Sequence, residues 1–241
     1  MEVLRDENGK TLEEFLSEYD ESIYKHPSVT VDMAVFTAKE TNEGFAFAVL
    51  LIKRRNHPSI GMYAMPGGFL EMDETVHEGA MRELFEETSV TGLSFRQFGT
   101  FGDLDRDPRT RVISVGHYTV AGEGSLKICA GDDAVDAGLF ELCVIKTGEN
   151  EFTVKLKGSR EIEFCASLSS DSLGLTVGSV ENHALASDHG NMLFCALCAL
   201  ANNKKEDVAR LLVSDRLDYE GALNVLEEAL GQMPWGCNIA L

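Results

Sequence analysis

The stretch that decides the fold is Pro66 to Val90, PGGFLEMDETVHEGAMRELFEETSV. Near its start lie Gly67 and Gly68, a pair typical of a tight turn because glycine reaches backbone angles that other residues avoid. Thr75 follows acidic residues, and a short polar side chain with negative charge nearby is typical of the first turn of a helix. No proline interrupts the chain from there to Thr88. The pattern therefore predicts a glycine turn followed directly by a helix.

The predicted helix carries an apolar stripe beside an acidic face. The apolar positions recur every four residues, which places them on one side of the helix: Val76, Ala80 and Leu84. The acidic positions are three and four residues apart and share a neighbouring side: Glu83, Glu86 and Glu87. Like charges at this spacing destabilise a helix by only ~0.2–0.5 kcal/mol per pair. Taken alone, the run is therefore adequately explained as a solvated acidic face.

The residues that flank the acidic face favour a ligand site instead. A glycine turn precedes the helix, and Arg82 follows Glu74 by about two helical turns, close enough to order the carboxylates. Hard oxygen ligands beside free backbone groups are typical of a site for Mg²⁺ or Mn²⁺ and a phosphate chain.

These residues resemble the Nudix box, which reads G-x5-E-x7-R-E-U-x-E-E-x-G-U, with U an aliphatic residue. The matching positions in this chain are Gly68, Glu74, Arg82, Glu83, Leu84, Glu86, Glu87 and Val90. The matched Gly, Glu and Arg positions would coincide by chance in only about one window in a million. Ser89 departs from the pattern, because the family has glycine there. We expect a slightly altered helix end at this position, and no loss of the site.

The resemblance implies both a fold and a site. The fold is the α/β class, a Nudix α/β/α sandwich with a mixed sheet between helices, followed by C-terminal helices. The implied cofactor is Mg²⁺ or Mn²⁺, bound by the backbone of the turn and by the catalytic glutamates: Gly67, Glu83, Glu86 and Glu87. Glu74 and Arg82 would orient the helix that carries these ligands. Which carboxylate acts as the general base stays open.

A second informative stretch is FGDLDRDPRTRVISVGHYTV, residues 101–120, which combines aspartates with the densest positive charge of the chain. Guanidinium groups at the mouth of a cleft can bind diphosphate oxygens in bidentate fashion. A loop that neutralises its own aspartates is the alternative. The sequence of this segment resembles that of ADP-ribose pyrophosphatase-like Nudix proteins and of the related Nudix regulators of NAD metabolism. The candidate substrate-binding residues are Arg54, Arg106, Arg109 and Arg111.

Two further groups are weaker candidates. Asp132, Asp133 and Asp136 could supply a metal ligand or base, and an acidic helix cap explains them equally well. Asp188 and His189 are expected to cap and pack a late helix, with a catalytic histidine as the minor alternative.

The reaction implied by the resemblance is hydrolysis of a nucleoside diphosphate linked to another group. ADP-ribose, giving AMP and ribose 5-phosphate, is the leading substrate. One alternative is a non-catalytic Nudix sensor of an NAD-related nucleotide. The other is a house-cleaning hydrolase for damaged nucleoside triphosphates. A homodimer is expected by analogy with the family.

Composition restricts the partners and the compartment. The net charge of −19 argues against nucleic acid or an anionic membrane as a partner, because phosphates would be repelled over most of the surface. No run reaches the ~20 apolar residues of a membrane span, and we expect a soluble, cytoplasmic protein. The cysteines, among them Cys195 and Cys198 in a C-x2-C, lack zinc-type spacing and are expected to be small buried apolar residues.

The remaining pattern predicts the other elements. Strands are expected at 28–37, 44–54, 93–101 and 112–120, with a hairpin around 157–160 and a Ser/Gly-rich connection at 169–179. Helices are expected at 11–18, 191–202, 204–212 and 218–230. We expect a Nudix domain over 1–200, with the box at 68–90, and a helical extension over 201–241 on the same domain. This extension is too short and too acidic for the winged-helix DNA-binding domain of the related regulators.

Overall fold

Ten strands form one mixed sheet in the computed structural model, which describes residues 4–122, 124–128, 134–172, 174–182 and 185–240. The strands are β1 Ser28–Thr41, β2 Gly44–Arg54, β3 Tyr63–Ala64, β4 Gly67–Phe69, β5 Arg96–Phe101, β6 Val112–Val120, β7 Ala134–Lys146, β8 Glu151–Lys157, β9 Glu161–Asp171 and β10 Gly174–Glu181. The α-helices are α1 Leu12–Glu18, α2 Val76–Thr88, α3 His189–Ala201, α4 Lys205–Leu212 and α5 Tyr219–Leu230. A short 3₁₀ helix spans Glu21–Ile23.

The order of the strands places β1 near the centre of the sheet. The sheet runs β10-β9-β8-β7-β2-β1-β6-β5, while β3 pairs with β2 and β4 pairs with β1. β1 and β6 are parallel, and the other pairs are antiparallel. Because the glycine turn forms the short strand β4, Asp32 of β1 lies opposite Gly67 on one side and Gly116 of β6 on the other.

Helices cover both faces of the sheet, which confirms the predicted α/β/α sandwich. Alternate residues of a strand point to opposite faces, so β1 serves two cores. One face packs against α2 through Val31, Met33, Val35, Leu50, Ala80, Leu84 and Val90. The other face packs against the remaining long helices, through residues such as Phe36, Phe47, Leu197 and Leu226.

Most predicted helices and strands have bounds within one to three residues of the observed bounds, and one predicted segment is wrong. β2 and β6 have the predicted bounds, and β8 and β9 form the predicted hairpin. The segment 169–179 is not a connection, because β9 continues to Asp171 and β10 begins at Gly174. Leu175 and Val177 lie two residues apart in β10 and pack against the larger core, so one face of this polar segment is apolar enough to form a strand.

The C-terminal helices pack against the sheet that carries the site. α5 contacts β2 and β7, and α4 contacts α5 and β6. Val225, Leu226 and Leu230 bury the apolar side of α5. The division of the chain at residue 200 stays a prediction. Among the described residues, none of the helices combines the length and apolar character that a bilayer crossing requires.

The cysteines only partly follow the expectation. Cys195 and Cys198 are buried in α3, as predicted, and burial raises the pKa of both thiols. Cys165 and Cys237 are exposed, so the expectation is wrong for these two. Cys165 follows the alternation of β9, which turns it to the outer face of the sheet. Cys129 lies outside the described residues.

Ser89 ends α2 in the left-handed conformation that glycine occupies in the Nudix box. Its φ and ψ are 60° and 14°, and its N–H donates to the Phe85 carbonyl at 2.7 Å. A residue with a side chain is strained by ~1–2 kcal/mol in this conformation. Glycine avoids the strain, but it loses more conformational entropy on folding, which offsets part of the difference. The helix therefore ends where the resemblance places it, at some cost in stability.

We expect Ser89→Gly to raise the free energy of unfolding by about 0.5–1 kcal/mol, because it removes this backbone strain. Urea unfolding followed by circular dichroism measures the change. Ser89→Ala is the matched control and should give no gain, since alanine keeps the strained Cβ. Equal stability of all three proteins would contradict the assignment of strain to this residue.

Candidate active site

A cavity of about 350 Å³ lies where β1, β4, α2 and the start of α3 meet. The glycine turn and two of the three predicted glutamates line it, as do three of the predicted arginines: Gly67, Gly68, Glu83, Glu87, Arg54, Arg106 and Arg109. A larger cavity of about 560 Å³ lies between α5 and strands β7 to β9, but no residue of the Nudix box lines it. The smaller cavity is therefore the candidate active site.

The glycine turn and α2 are in direct contact. The Gly67 N–H donates to Glu87 Oε2 at 2.8 Å. A Cβ on Gly68 would lie 2.4 Å from the carboxyl carbon of Glu83, so only glycine leaves room for this carboxylate. The turn thus fixes Glu87 by a hydrogen bond from Gly67, and it leaves space for the Glu83 carboxylate because Gly68 has no side chain.

Burial makes these two carboxylates poor anions in the absence of a cation. The pKa of Glu87 is raised to about 8, chiefly by burial; the Gly67 N–H opposes this shift, and the nearby charges of Glu83 and Asp32 add to it. Burial also raises the pKa of Glu83. Two crowded carboxylates in one cavity form an oxygen donor set, which suits Mg²⁺ or Mn²⁺. The residues present therefore fit a divalent cation, held by Glu83 and Glu87.

The glutamates do not form a complete cage. Within the described part of the chain, no group of three or more His, Cys, Asp or Glu side chains is placed to hold a metal ion. Glu86 is absent from the cavity lining, its side chain is 53% exposed, and Arg82 Nη1 donates to it at 3.2 Å. The structure therefore brings Glu83 and Glu87 together and leaves Glu86 on the outer side of α2.

Arg82 joins α2 to the turn that precedes it. Its Nε and Nη2 donate to the carboxylate of Glu74 at 3.0 and 2.6 Å, and Nη2 also donates to the Phe69 carbonyl at 3.0 Å. Nη1 donates to Glu83 at 2.8 Å and to Glu86. The five N–H donors of the guanidinium thus meet five acceptors. The bond from Arg82, aided by the Glu71 N–H, lowers the pKa of Glu74 to about 2.

The predicted arginines differ in how far they are already paired. Arg106 donates in bidentate fashion to Asp188 at 2.9 and 3.0 Å, and Arg109 likewise to Asp107 at 3.0 and 2.7 Å. Arg111 lies outside the cavity lining and donates to the Asp103 carbonyl. Arg54 donates through Nε to the Pro58 carbonyl, and its terminal nitrogens make no hydrogen bond to the described residues. Arg54 thus keeps both terminal nitrogens for a phosphate, whereas the bidentate pairs of Arg106 and Arg109 leave each of these residues only Nη1 without a hydrogen bond to the described residues.

Asp188 lies at the start of α3, as predicted, but its side chain has another partner. Asp188 occupies the N-cap position, but its carboxylate makes no capping bond. Its oxygens accept from Arg106, so the side chain holds the loop before β6 against the start of α3. Asp136 lies on β7 opposite Lys53 and away from the cavity lining, while Asp132 and Asp133 lie outside the described residues.

The structure adds three polar residues of β1 and β6 that the sequence patterns did not single out. Asp32 and Thr30 line the cavity, and the Ser114 hydroxyl donates to Asp32 Oδ2. The Thr30 hydroxyl is buried without a hydrogen-bond partner among the described residues. The available signal was an aspartate within the apolar strand SVTVDMAVFT, since a charged residue in a buried strand requires a partner.

His189 also lines this cavity, next to Asp32. It is only 7% exposed, its Nδ1 accepts the Met65 N–H at 3.1 Å, and its Nε2 lies 3.7 Å from Asp32 Oδ1. Burial lowers the pKa of the imidazole, which favours the neutral ring. Because Nδ1 is an acceptor, the neutral ring carries its proton on Nε2.

The fold and the box together define the class. The model of the NUDIX domain family matches residues 26–153, more than half of the chain. The chain belongs to the Nudix family. A crystal structure of a MutT/nudix family protein from Enterococcus faecalis, 26% identical, superposes with a TM-score of 0.64 over 90% of this chain and 88% of that one.

Two curated relatives are similar over the Nudix region. An ADP-ribose pyrophosphatase from Methanocaldococcus jannaschii is 42% identical over 120 residues, which cover 50% of this chain and 65% of the relative. The ADPR responsive transcriptional repressor NtrR from Acinetobacter baylyi is 34% identical over 115 residues, which cover 47% of this chain and 44% of the relative. The match thus spans less than two thirds of either relative.

We expect Glu87→Gln to stabilise the metal-free protein at alkaline pH. The folded-state pKa of Glu87 lies above its unfolded value, so the folded protein holds a proton that the unfolded chain releases as the pH rises. Its contribution to the free energy of unfolding therefore falls between about pH 4.5 and pH 8. Thermal unfolding in EDTA should show a Tm gain of about 5 °C at pH 8 and little gain at pH 5.

Glu86→Gln is the control for this change, because it removes a similar charge from the exposed side of the same helix. It should leave the Tm within about 1 °C at both pH values. A Glu87→Gln protein no more stable than wild type at pH 8 would contradict the burial of an uncompensated carboxylate.

We expect Gly68→Ala to weaken Mg²⁺ binding by at least about tenfold, because the new Cβ displaces the Glu83 carboxylate. Isothermal titration with Mg²⁺ measures the affinity. Gly138→Ala is the matched control, since a Cβ there meets no atom within 4 Å. Unchanged Mg²⁺ affinity in folded Gly68→Ala protein would argue against Glu83 as a ligand.

Proposed function

We propose that this protein hydrolyses a nucleoside diphosphate linked to another group, in a reaction that depends on Mg²⁺ or Mn²⁺. The observation that carries the proposal is the pair of buried glutamates, Glu83 and Glu87, held against the glycine turn inside the cavity. Two carboxylates with raised pKa values in one cavity destabilise the fold unless a proton or a cation compensates them. Their retention in a folded protein is most simply explained by cation binding.

The chain supplies the groups that this reaction requires. Glu83 and Glu87 would hold the cation, with the Gly67 carbonyl as a further ligand, and Arg82 fixes the orientation of Glu83. A bound divalent cation neutralises the charge that develops on the diphosphate and lowers the pKa of the attacking water. Arg54 offers terminal N–H groups to a phosphate oxygen, in the geometry that guanidinium groups use for phosphate.

Arg106 and Arg109 can contribute through position and through Nη1, the terminal nitrogen that their ion pairs leave unused. The pair of Arg106 with Asp188 holds the loop before β6 against the start of α3, while the pair of Arg109 with Asp107 lies within that loop. Arg109 also lies over the Phe69 ring, with its Cζ 5.0 Å from the centroid. These contacts support a role in shaping the substrate-binding wall.

ADP-ribose is the substrate that we propose, giving AMP and ribose 5-phosphate. Water attacks one phosphorus, and the bond from that phosphorus to the bridging oxygen breaks. The similarity to an ADP-ribose pyrophosphatase supports this choice, as does the ADPR-responsive repressor. The same repressor favours a second candidate, a sensor that binds ADP-ribose without cleaving it. A cytoplasmic location and a homodimer remain predictions.

An assay of the purified protein with Mg²⁺ against ADP-ribose, NADH and a panel of nucleoside triphosphates separates the candidates. Turnover of ADP-ribose supports the proposal, while turnover confined to triphosphates supports a house-cleaning enzyme. Binding of ADP-ribose without turnover of any compound supports the sensor.

We expect Glu83→Gln and Glu87→Gln to lower kcat for ADP-ribose by at least about 100-fold with the fold retained, because each removes a charged metal ligand. Steady-state kinetics at saturating Mg²⁺, with circular dichroism as the check on folding, measures the loss. Glu13→Gln, an exposed glutamate on α1, is the control and should retain wild-type kcat. Near-normal rates in both active-site variants would remove the basis of the proposal.

A further inference from the structure

Asp32 and His189 face each other across a gap in the wall of the active-site cavity. His189 Nε2 lies 3.7 Å from Asp32 Oδ1, which is longer than the 2.7–3.2 Å of an N–H···O hydrogen bond. Both residues line the cavity that holds Glu83 and Glu87. The two groups are therefore close enough to share a ligand and too far apart to satisfy each other.

The remaining polar atoms of the pair are already engaged, which fixes what each offers to the gap. The Ser114 hydroxyl donates to Asp32 Oδ2, so Oδ1 is left as the acceptor on that side. The Met65 N–H donates to His189 Nδ1, so the neutral ring presents an N–H at Nε2. Nε2 makes no hydrogen bond to any described residue. One donor and one acceptor thus lie side by side in the cavity.

An O–H group matches this arrangement because it accepts one hydrogen bond and donates another. An oxygen placed ~2.8 Å from both atoms would form two good hydrogen bonds, and the 3.7 Å separation leaves room for that triangle. A carbonyl or phosphate oxygen could accept from Nε2 but would meet the lone pairs of Asp32. The pair therefore selects a hydroxyl or a water molecule.

The surroundings of the pair point to the reacting complex. A Cβ on Gly67 would lie 2.8 Å from Asp32 Oδ1, so this oxygen is adjacent to the turn that contacts Glu87. Two residues before Asp32 on the same face of β1, the buried Thr30 hydroxyl also lacks a partner among the described residues. This wall of the cavity thus carries hydrogen-bonding capacity that the protein itself does not use.

We propose that Asp32 and His189 together bind one O–H group at the active site, either a sugar hydroxyl of the substrate or the attacking water. The inference rests on the proposed function, and it makes both residues direct contacts of the bound complex. His189 acts as a donor of fixed tautomer, and Asp32 as the acceptor that excludes groups without a hydrogen to donate.

Two isosteric variants separate this role from a structural one. In His189→Asn the amide oxygen replaces Nδ1 and can still accept the Met65 N–H, but the donor at Nε2 is lost. In His189→Gln the amide nitrogen replaces the Nε2 donor, but the acceptor for Met65 is lost. Asp32→Asn keeps the size of the side chain, and because its remaining oxygen accepts the Ser114 hydroxyl, it turns an NH2 donor toward the gap in place of the acceptor. Thermal unfolding confirms that each variant is folded before it is compared.

The experiment measures Kd for ADP-ribose by calorimetry in EDTA, and kcat and KM with Mg²⁺. If the group is a sugar hydroxyl, His189→Asn and Asp32→Asn should each raise Kd and KM about tenfold, with kcat within about threefold of wild type. If it is the attacking water, both variants should keep Kd and lose about tenfold or more in kcat. In either case His189→Gln should lie closer to wild type than His189→Asn.

Wild-type Kd and kcat in His189→Asn would overturn the inference. So would a loss confined to His189→Gln, because that result assigns His189 to the Met65 contact alone. A wild-type protein that binds ADP-ribose without cleaving it defeats the proposed hydrolysis, yet the Kd comparison still tests the pair. A wild-type protein that neither binds nor cleaves ADP-ribose overturns the proposed function and this inference with it.

Discussion

The contact between the glycine turn and α2 is the constraint on which the rest of the site depends. Gly67 donates to Glu87, and the missing side chain of Gly68 admits the Glu83 carboxylate. Arg82 reinforces the same contact, because its N–H groups donate both to residues before the helix, Glu74 and Phe69, and to glutamates on α2. These bonds hold negative charge in a place where burial penalises it. The two carboxylates are consequently held in place before any ligand arrives, as the proposed cation binding requires.

The central position of β1 gives the site its second wall. β1 pairs with β4 on one side and with β6 on the other, so that Asp32 lies between Gly67 and Gly116. The side chains that alternate with Asp32 pack against α2, and this packing fixes the position of β1 along its own axis relative to that helix. A shift of one residue in this register would turn Asp32 away from the cavity. The register of β1 in the sheet therefore determines both the polar wall of the cavity and the apolar core under α2.

Several parts of the site could be predicted from the sequence, and the physical reason is that they are local. The glycine turn, the cap at Thr75 and the spacing of Glu83 and Glu87 all lie within one short segment, where helix periodicity determines which side chains are neighbours. The arginines were harder. Their charge pointed to a phosphate, but Arg106 and Arg109 pair with aspartates, and the partner of Arg106 is remote in the chain.

The sequence by itself determined the helix with its acidic side, the turn before it, the main strands and the membership of the Nudix family that the box indicated. Only the tertiary structure decided that Glu86 points outward, that β9 and β10 extend into 169–179, and that Asp32 lies beside His189. Local spacing sets neighbours along one element. Strand pairing and helix packing between segments far apart in the chain determine which side chains share a cavity. A short sequence motif does not encode such long-range contacts.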